Sequence, residues 1–533
     1  MARIHIYDTT LRDGAQFEGI SFTVKDKLRI AQKLDELNVD YIEGGWPGSN
    51  PKDDEFFRVA CGELKLKKAR LVAFGSTRRA NSPAAKDPVI RNLLKANTKY
   101  ITIFGKSWDL HVKGILKTTL KENLEMIADS VKYLRKKGRH VMFDAEHFFD
   151  GYKDNPGYAI ETLKAAQDAG AEAVILCDTN GGTLTSHIFE IVEEVKEKIK
   201  APLGIHTHND AEMAVANSVA AVEAGCTQVQ GTFNGYGERC GNANLVSILP
   251  ALKFKLGHEC LSAFAFKELT EASRYIAEIC NMKQLDSQPY VGSSAFAHKA
   301  GVHVNAIMKN PRSYEHLEPE KVGNKRRMLI SELSGKSSVL GKAGELGMKI
   351  DKTSDRAKKI LKHVQDLEKE GYQFELAEAS LMLLMRRASE VFKKHFELED
   401  LRVIVEKRAP GQIISEATVK LRIGGQKMHT VSLGDGPVHA MDQALRKALR
   451  KFYPSLEEMH LSDFRVRVLD EKAGTAAKVR VLIQSQDKTS SWWTVGVSEN
   501  IIEASWKALI DSIEYKFAKD EKKASRKSKR KRK

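Results

Sequence analysis

The sequence predicts an α/β protein: a (β/α)8 barrel, then a mostly helical linker region, then a C-terminal α+β unit. Three observations lead there. Over the first 235 or so of 533 residues, short β-rich apolar runs alternate eight times with stretches of helical period. Each of those runs ends in polar or glycine-containing residues. Beyond residue 401 the alternation gives way to period-2 strands with a helix between them.

Taken in order, the barrel strands are expected at Ile4–Tyr7, Tyr41–Glu43, Leu71–Phe74, Tyr100–Phe104, His140–Phe143, Ala173–Cys177, Leu203–His206 and Gln228–Thr232. Helical period falls at Lys25–Leu37, Leu120–Lys136, Ala159–Ala169, Thr185–Ile199 and Ala211–Ala224, with stops at Gly138, Gly170 and Gly225. A doubly wound open sheet would need a glycine-rich phosphate turn after its first strand; Asp8-Thr9-Thr10-Leu11-Arg12-Asp13-Gly14 stands there instead. Residues 285–330 are rich in proline and glycine, and 353–395 have helical period. Strands follow at Leu401–Lys407, Glu416–Ile423, Phe464–Leu469 and Lys478–Gln486, with helices at Ala440–Phe452 and Ile501–Phe517. The expected domains are a catalytic barrel over 1–280, linker subdomains completing the site over 281–400, an α+β unit over 401–517 and a disordered basic tail over 518–533.

Composition excludes several classes. Apolar residues make up 42% and charged residues 29%, which are ordinary globular values. No apolar run reaches the 18 or so residues of a spanning helix, so no membrane partner is expected. Met1-Ala2-Arg3-Ile4-His5 lacks the pattern of a secretory signal, and the six cysteines are scattered without a C-x-x-C pair. Both favour a cytoplasmic protein with reduced thiols. Of the net charge of +16, half lies in the last fifteen residues, where ten Lys or Arg meet two acids. Such a tail can give non-specific nucleic-acid affinity. It carries no aromatic residue after Phe517 and no recognised nucleic-acid module, so a solvated extension is the favoured reading.

In a barrel of this kind the site lies at the C-terminal ends of the strands. There the sequence places Arg12 and Asp13, Glu43, Ser76 with Arg78 and Arg79, Asp144 with Glu146, Asp178 with Thr179 and Asn180, His206 with His208, and Asn234 through Asn242. The sharpest feature is His206-Thr207-His208. Residues i and i+2 of a strand face the same way, so both imidazoles enter one pocket. With Asp13 they form a set of two histidines and one aspartate, suited to a catalytic divalent cation with open positions. Magnesium, manganese, zinc and cobalt all stay open. Arg12 beside such a cation can stabilise an alkoxide or clamp a carboxylate. Glu146 suits acid–base work and Thr179 offers a hydroxyl.

Four motifs in order now carry a resemblance: Asp8 to Gln16, His206 to Asp210, Gly235-Tyr236-Gly237-Glu238-Arg239-Cys240-Gly241-Asn242-Ala243, and His298-Lys299-Ala300-Gly301-Val302-His303. Together they resemble the isopropylmalate/homocitrate/citramalate synthase family over about residues 1–515. The stretch Ile42 to Asp53, with Ala15 where many members have glutamate, is most similar to its citramalate branch. The resemblance implies a Claisen-type condensation of acetyl-CoA with pyruvate and water, giving citramalate and coenzyme A for isoleucine synthesis. It implies metal ligation by Asp13, His206, His208 and Asn242. Arg12 would polarise the keto oxygen, Thr179 would hold the carboxylate, and Glu146 would sit by the acetyl group. His303 and Tyr314, from the partner of a homodimer, would complete the site. The C-terminal unit would be an allosteric dimerisation domain, with isoleucine as its effector. An isopropylmalate or homocitrate synthase differs only in the size of the 2-oxo acid. A lyase on the same barrel would end soon after it.

Overall fold

The computed structural model describes residues 2–330, 336–345, 355–388, 392, 394–409, 411–469 and 471–531. Their contacts divide the chain into two compact units, Met1–Phe296 with His316–Arg326, and Ala297–Glu315 with Arg327–Lys533.

In the first unit all eight expected strands form: β1 His5–Asp8, β2 Tyr41–Gly45, β3 Arg70–Ser76, β4 Tyr100–Lys106, β5 His140–Glu146, β6 Ala173–Asp178, β7 Leu203–Thr207 and β8 Gln228–Gly231. They pair parallel in sequence order, and β8 closes on β1 with Asp8 opposite Gly231. Strand period 2 explains the layering. Ile6, Ile42, Ile101, Ile103, Val141, Phe143, Val174, Ile205 and Val229 belong to the large buried cluster shared with the surrounding helices. The alternate residues Tyr7, Val72, Met142, Ile175 and Cys177 form a small cluster of their own, which fills the barrel. Two positions further along the strands that inner face turns polar, with Glu43, Thr102, Asp144, His206 and Gln230, all buried.

Local sequence sets the helices. Thr23 and Asp26 form a capping box at the start of Val24–Glu36. Asn50 and Pro51 start Pro51–Glu63, and Asp87 and Pro88 start Pro88–Lys95; neither of these two helices was expected.

The second unit holds a helix, Gly301–Lys309, inside the proline- and glycine-rich stretch, and the helices Arg356–Lys369 and Glu378–Arg387 inside 353–395. Its α+β part has two three-stranded antiparallel sheets. One is Glu397–Arg408, Gln412–Ile423 and Gln426–Gly434; the other is His460–Val468, Val479–Asp487 and Ser490–Ser498. Pro437–Leu449 packs on the first sheet and the closing helix on the second. The sequence reading missed the third strand of each sheet. Gln426-Lys427-Met428-His429-Thr430 is too polar for a hydrophobic signal, and Gly424-Gly425 turns it back onto its neighbour.

The basic tail corrects an expectation. The closing helix runs Ile501–Lys531, through residues predicted to be disordered. Lys, Arg and Ala are good helix formers, and neither Gly nor Pro interrupts the run. Among the described residues no helix is long and apolar enough to cross a membrane.

Candidate active site

The polar layer of the barrel opens into a cavity of about 210 Å³ lined by Arg12, Asp13, Asp144, Glu146, Thr179, His206 and His208, with Trp46, Phe74 and Phe104 as an aromatic wall. Each lining residue sits at or just past a strand end, because side chains there point up and inward.

Asp13, His206 and His208 are all buried, and one ligand atom from each lies within 4.8 Å of the others. His206 Nε2 is 3.4 Å from Asp13 Oδ2 and 3.3 Å from His208 Nε2. β7 ends at Thr207, so His208 lies just beyond the strand. A bridge to Asn242 holds it there, and the two rings still converge. The Asn242 amide nitrogen lies 3.2 Å from Asp13 Oδ2 and 3.3 Å from His206 Nε2. A Cβ on Gly237 would meet Asn242 Oδ1 at 1.8 Å, so glycine is required beside that amide. His206 Nδ1 faces Gln230 Oε1 at 2.8 Å, which puts its proton on Nδ1 and leaves Nε2 with its lone pair. Gln230 in turn donates to Asp144 at 3.0 Å.

The electrostatics fit a cation. Burial lowers His206, and it pushes His208 down to about 3, so both imidazoles are neutral and able to donate. Burial works to raise Asp13, but Arg12 and the Asn242 amide hold it below the usual carboxylate range. Among the described residues, His208 Nδ1 and Asn242 Oδ1 are buried without a hydrogen-bond partner. Two neutral nitrogens, a carboxylate and an amide with an orphaned oxygen form a donor set that suits a divalent metal.

Arg12 lies against this set. It pairs with Asp13, and its Nε donates to Glu43 Oε1 at 2.5 Å. The guanidinium stacks on Phe74, 3.7 Å from the ring centroid. Burial opposes its charge, but Asp13 and Glu43 raise it further. Glu43 is fully buried and pushed up by burial, although the Tyr7 hydroxyl donates to it at 2.6 Å. Glu146, the last residue of β5, pairs with Lys106. Thr179 follows β6; its Oγ1 accepts from the His147 amide at 2.9 Å, and its carbonyl accepts from Arg239 at 2.8 Å.

The structure thus brings Arg12, Asp13, Glu146, Thr179, His206, His208 and Asn242 together. It places His303 and Tyr314 in the second unit, both exposed, with their rings stacked at 4.2 Å between centroids. Gln230 and the aromatic wall were missed as functional residues. Gln230 had a legible signal, since a glutamine two residues after Gln228 puts a second amide on the inner face of β8. Phe74, Phe104 and Trp46 are ordinary core candidates in sequence.

Comparison with known proteins places the chain. An HMGL-like family model matches residues 3–276, a homocitrate synthase post-HMGL domain-like model matches 290–371, and a LeuA allosteric (dimerisation) domain model matches 375–517. The chain is 56% identical over 521 residues to "(R)-citramalate synthase" of Aquifex aeolicus, covering 97% of this chain and 98% of that one. It is 56% identical over 522 residues to the protein of the same name from Geobacter sulfurreducens, covering 98% and 99%. To "2-isopropylmalate synthase" of Methanocaldococcus jannaschii the identity is 32% over 524 residues, covering 98% and 96%.

Proposed function

We propose the following reaction for a chain that, by these matches, belongs to the isopropylmalate/homocitrate/citramalate synthase family: acetyl-CoA, pyruvate and water are condensed to citramalate and free coenzyme A. The observation that carries it is the buried Asp13–His206–His208 set with Arg12 beside it and an aromatic wall opposite. The 56% identity to citramalate synthases, against 32% to an isopropylmalate synthase, favours the three-carbon oxo acid.

Asp13, His206, His208 and the Asn242 amide would hold the divalent metal, which supplies Lewis acidity to a keto oxygen and a carboxylate. Arg12 stabilises the charge that develops on the keto oxygen. Thr179 donates a hydrogen bond from its hydroxyl to the pyruvate carboxylate. Glu146 stands beside the acetyl group. A base takes one methyl proton from acetyl-CoA, the methyl carbon bonds to the keto carbon, and the alkoxide is protonated. Water then cleaves the thioester and coenzyme A leaves. His303, next to Tyr314, is our candidate for the base. Both rings lie in the open in one chain, as suits residues that a partner subunit's barrel would cover.

The C-terminal unit would pair two copies and take isoleucine as effector, in keeping with the LeuA dimerisation match. A cytoplasmic location suits this chemistry and the free cysteines among the described residues. The test is coenzyme A release from acetyl-CoA with a divalent metal and, separately, pyruvate, 2-oxoisovalerate and 2-oxoglutarate. Release with pyruvate, lost on chelation, is expected. Preference for a larger acid keeps the family and moves the substrate. Silence with all three overturns the reaction and sends the search to the lyase direction.

A further inference from the structure

Between β5 and the helix Phe148–Asp154 stands His147, with φ 56° and ψ 35°, in the left-handed region. Side chains with a Cβ are uncommon there, and the conformation persists only where the surroundings impose it. Here several contacts do. His147 Nδ1 lies 3.3 Å from Asp150 Oδ2, and Asn180 Nδ2 donates to the same oxygen at 3.0 Å. The buried ring packs on His111, 4.2 Å between centroids, with Trp108 close by. Trp108 is itself fixed by a 2.7 Å bond to Asp154.

The turn has two consequences, one on each side. It ends β5 immediately after Glu146, the residue that faces the cavity. It also aims the His147 amide at Thr179 Oγ1, 2.9 Å away. A hydroxyl has one proton and two acceptor sites. With one acceptor site taken by a backbone amide, and its rotor oriented by that bond, the Thr179 proton is directed toward the cavity. Asn180, the next residue, is tied to His147 through Asp150.

We propose that His147 is a positioning residue for the 2-oxo acid: its left-handed turn holds the Thr179 hydroxyl as a donor to the substrate carboxylate. The role rests on the reaction proposed above, and it acts through Thr179 on the pyruvate carboxylate. On the acetyl side the turn reaches only Glu146, whose carboxylate is separately held by Lys106, so KM for pyruvate should move far more than KM for acetyl-CoA.

The experiment measures KM and kcat for each substrate in the full-length, metal-loaded enzyme, with direct calorimetric binding of pyruvate alongside. His147→Val forces a β-branched side chain onto the turn. It should raise KM for pyruvate at least about tenfold and move KM for acetyl-CoA less than about twofold. His147→Asn, which tolerates the left-handed region and keeps a polar side chain for Asp150, should recover most of the loss. In a Thr179→Val background, His147→Val should add less than about twofold, because both act through one hydrogen bond. Should His147→Val fail to fold by circular dichroism, His147→Ala replaces it, with a smaller effect in the same direction. A folded variant with unchanged pyruvate KM, or two changes whose factors multiply, overturns the role while leaving the reaction intact. A parent enzyme that neither binds nor consumes pyruvate removes both.

Discussion

Two buried ionic clusters, one in each unit, look alike in composition and differ in satisfaction. In the second unit Asp487 is almost fully buried and accepts from Lys516 and Lys519 and from the Thr489 and Ser490 amides, at 2.8 to 3.1 Å. Burial works to raise its pKa, but Lys519 and these donors pull it far below the usual carboxylate range. The cluster locks the hairpin between Val479–Asp487 and Ser490–Ser498 to the closing helix. At the barrel mouth burial prevails at three carboxyls, though not at Asp13. Asp8 is pushed up to about 7, and Glu43 and Asp144 are raised as well, although Arg12 lies among them. There His208 Nδ1 and Asn242 Oδ1 have no hydrogen-bond partner among the described residues. Asp487, with both carboxylate oxygens paired, is structural; a cluster whose candidate ligands keep spare donors and acceptors is waiting for a ligand.

The largest effect should come from removing a spare donor. His206→Ala or His208→Ala is expected to cut coenzyme A release by more than about 100-fold and to abolish stoichiometric metal, while the melting temperature holds or rises. Metal content by plasma emission and a thermal melt check both. A fall in stability equal to that seen on breaking the Asp487 cluster would erase the distinction between the two regions.

Next is the structural cluster itself. Asp487→Ala takes the shared carboxylate from Lys519 and leaves Lys516 with Asp520 and Glu458, and should cost about 3 kcal/mol of stability in the second unit. Denaturant melts read this, and pyruvate turnover well below the transition should keep its KM. A third change sharpens the comparison from inside the barrel. Gln230→Leu removes the acceptor that fixes the His206 tautomer, and should weaken metal affinity by about 10–100-fold with little loss of fold.

The smallest effect is on pH. His395 in the second unit is flanked by Glu514 at 2.6 Å and Glu521 at 3.1 Å, with Arg386 on the far side of Glu521. Burial works to lower its pKa, but the two glutamates raise it above the ordinary imidazole value. A raised pKa means that the contribution is complete below about 6.5 and fades as pH climbs through the raised value. His395→Gln should lower the melting temperature at pH 6 by roughly 2–4 °C and leave it nearly unchanged at pH 9. An equal loss at both pH values would make the contact one of packing alone.

Much of this was legible in the sequence, for definite reasons. Eight apolar runs with helical intervals allow few closed parallel arrangements, so the barrel could be read from alternation alone. Arg12, Asp13, His206 and His208 could be read because strand ends in a barrel converge, and i, i+2 histidines share a face. The third strand of each C-terminal sheet could not, because Gln426–Gly434 and Ser490–Ser498 are held by their neighbours and not by their own pattern. The tail shows the opposite failure: charge density predicted disorder, but helix propensity and the anchored turn before it carried the helix on to Lys531.

The sequence by itself determined the barrel, the order of its chemistry and the identity of the candidate metal ligands, since these follow from short-range period and strand-end position. Only the tertiary structure decided which buried charges are paired and which are spare. It alone brought the Gln230 acceptor against His206, stacked Arg12 on Phe74, and set the His147 amide on Thr179. Those are meetings between strands and loops far apart in the chain, and closing the barrel is what makes them neighbours.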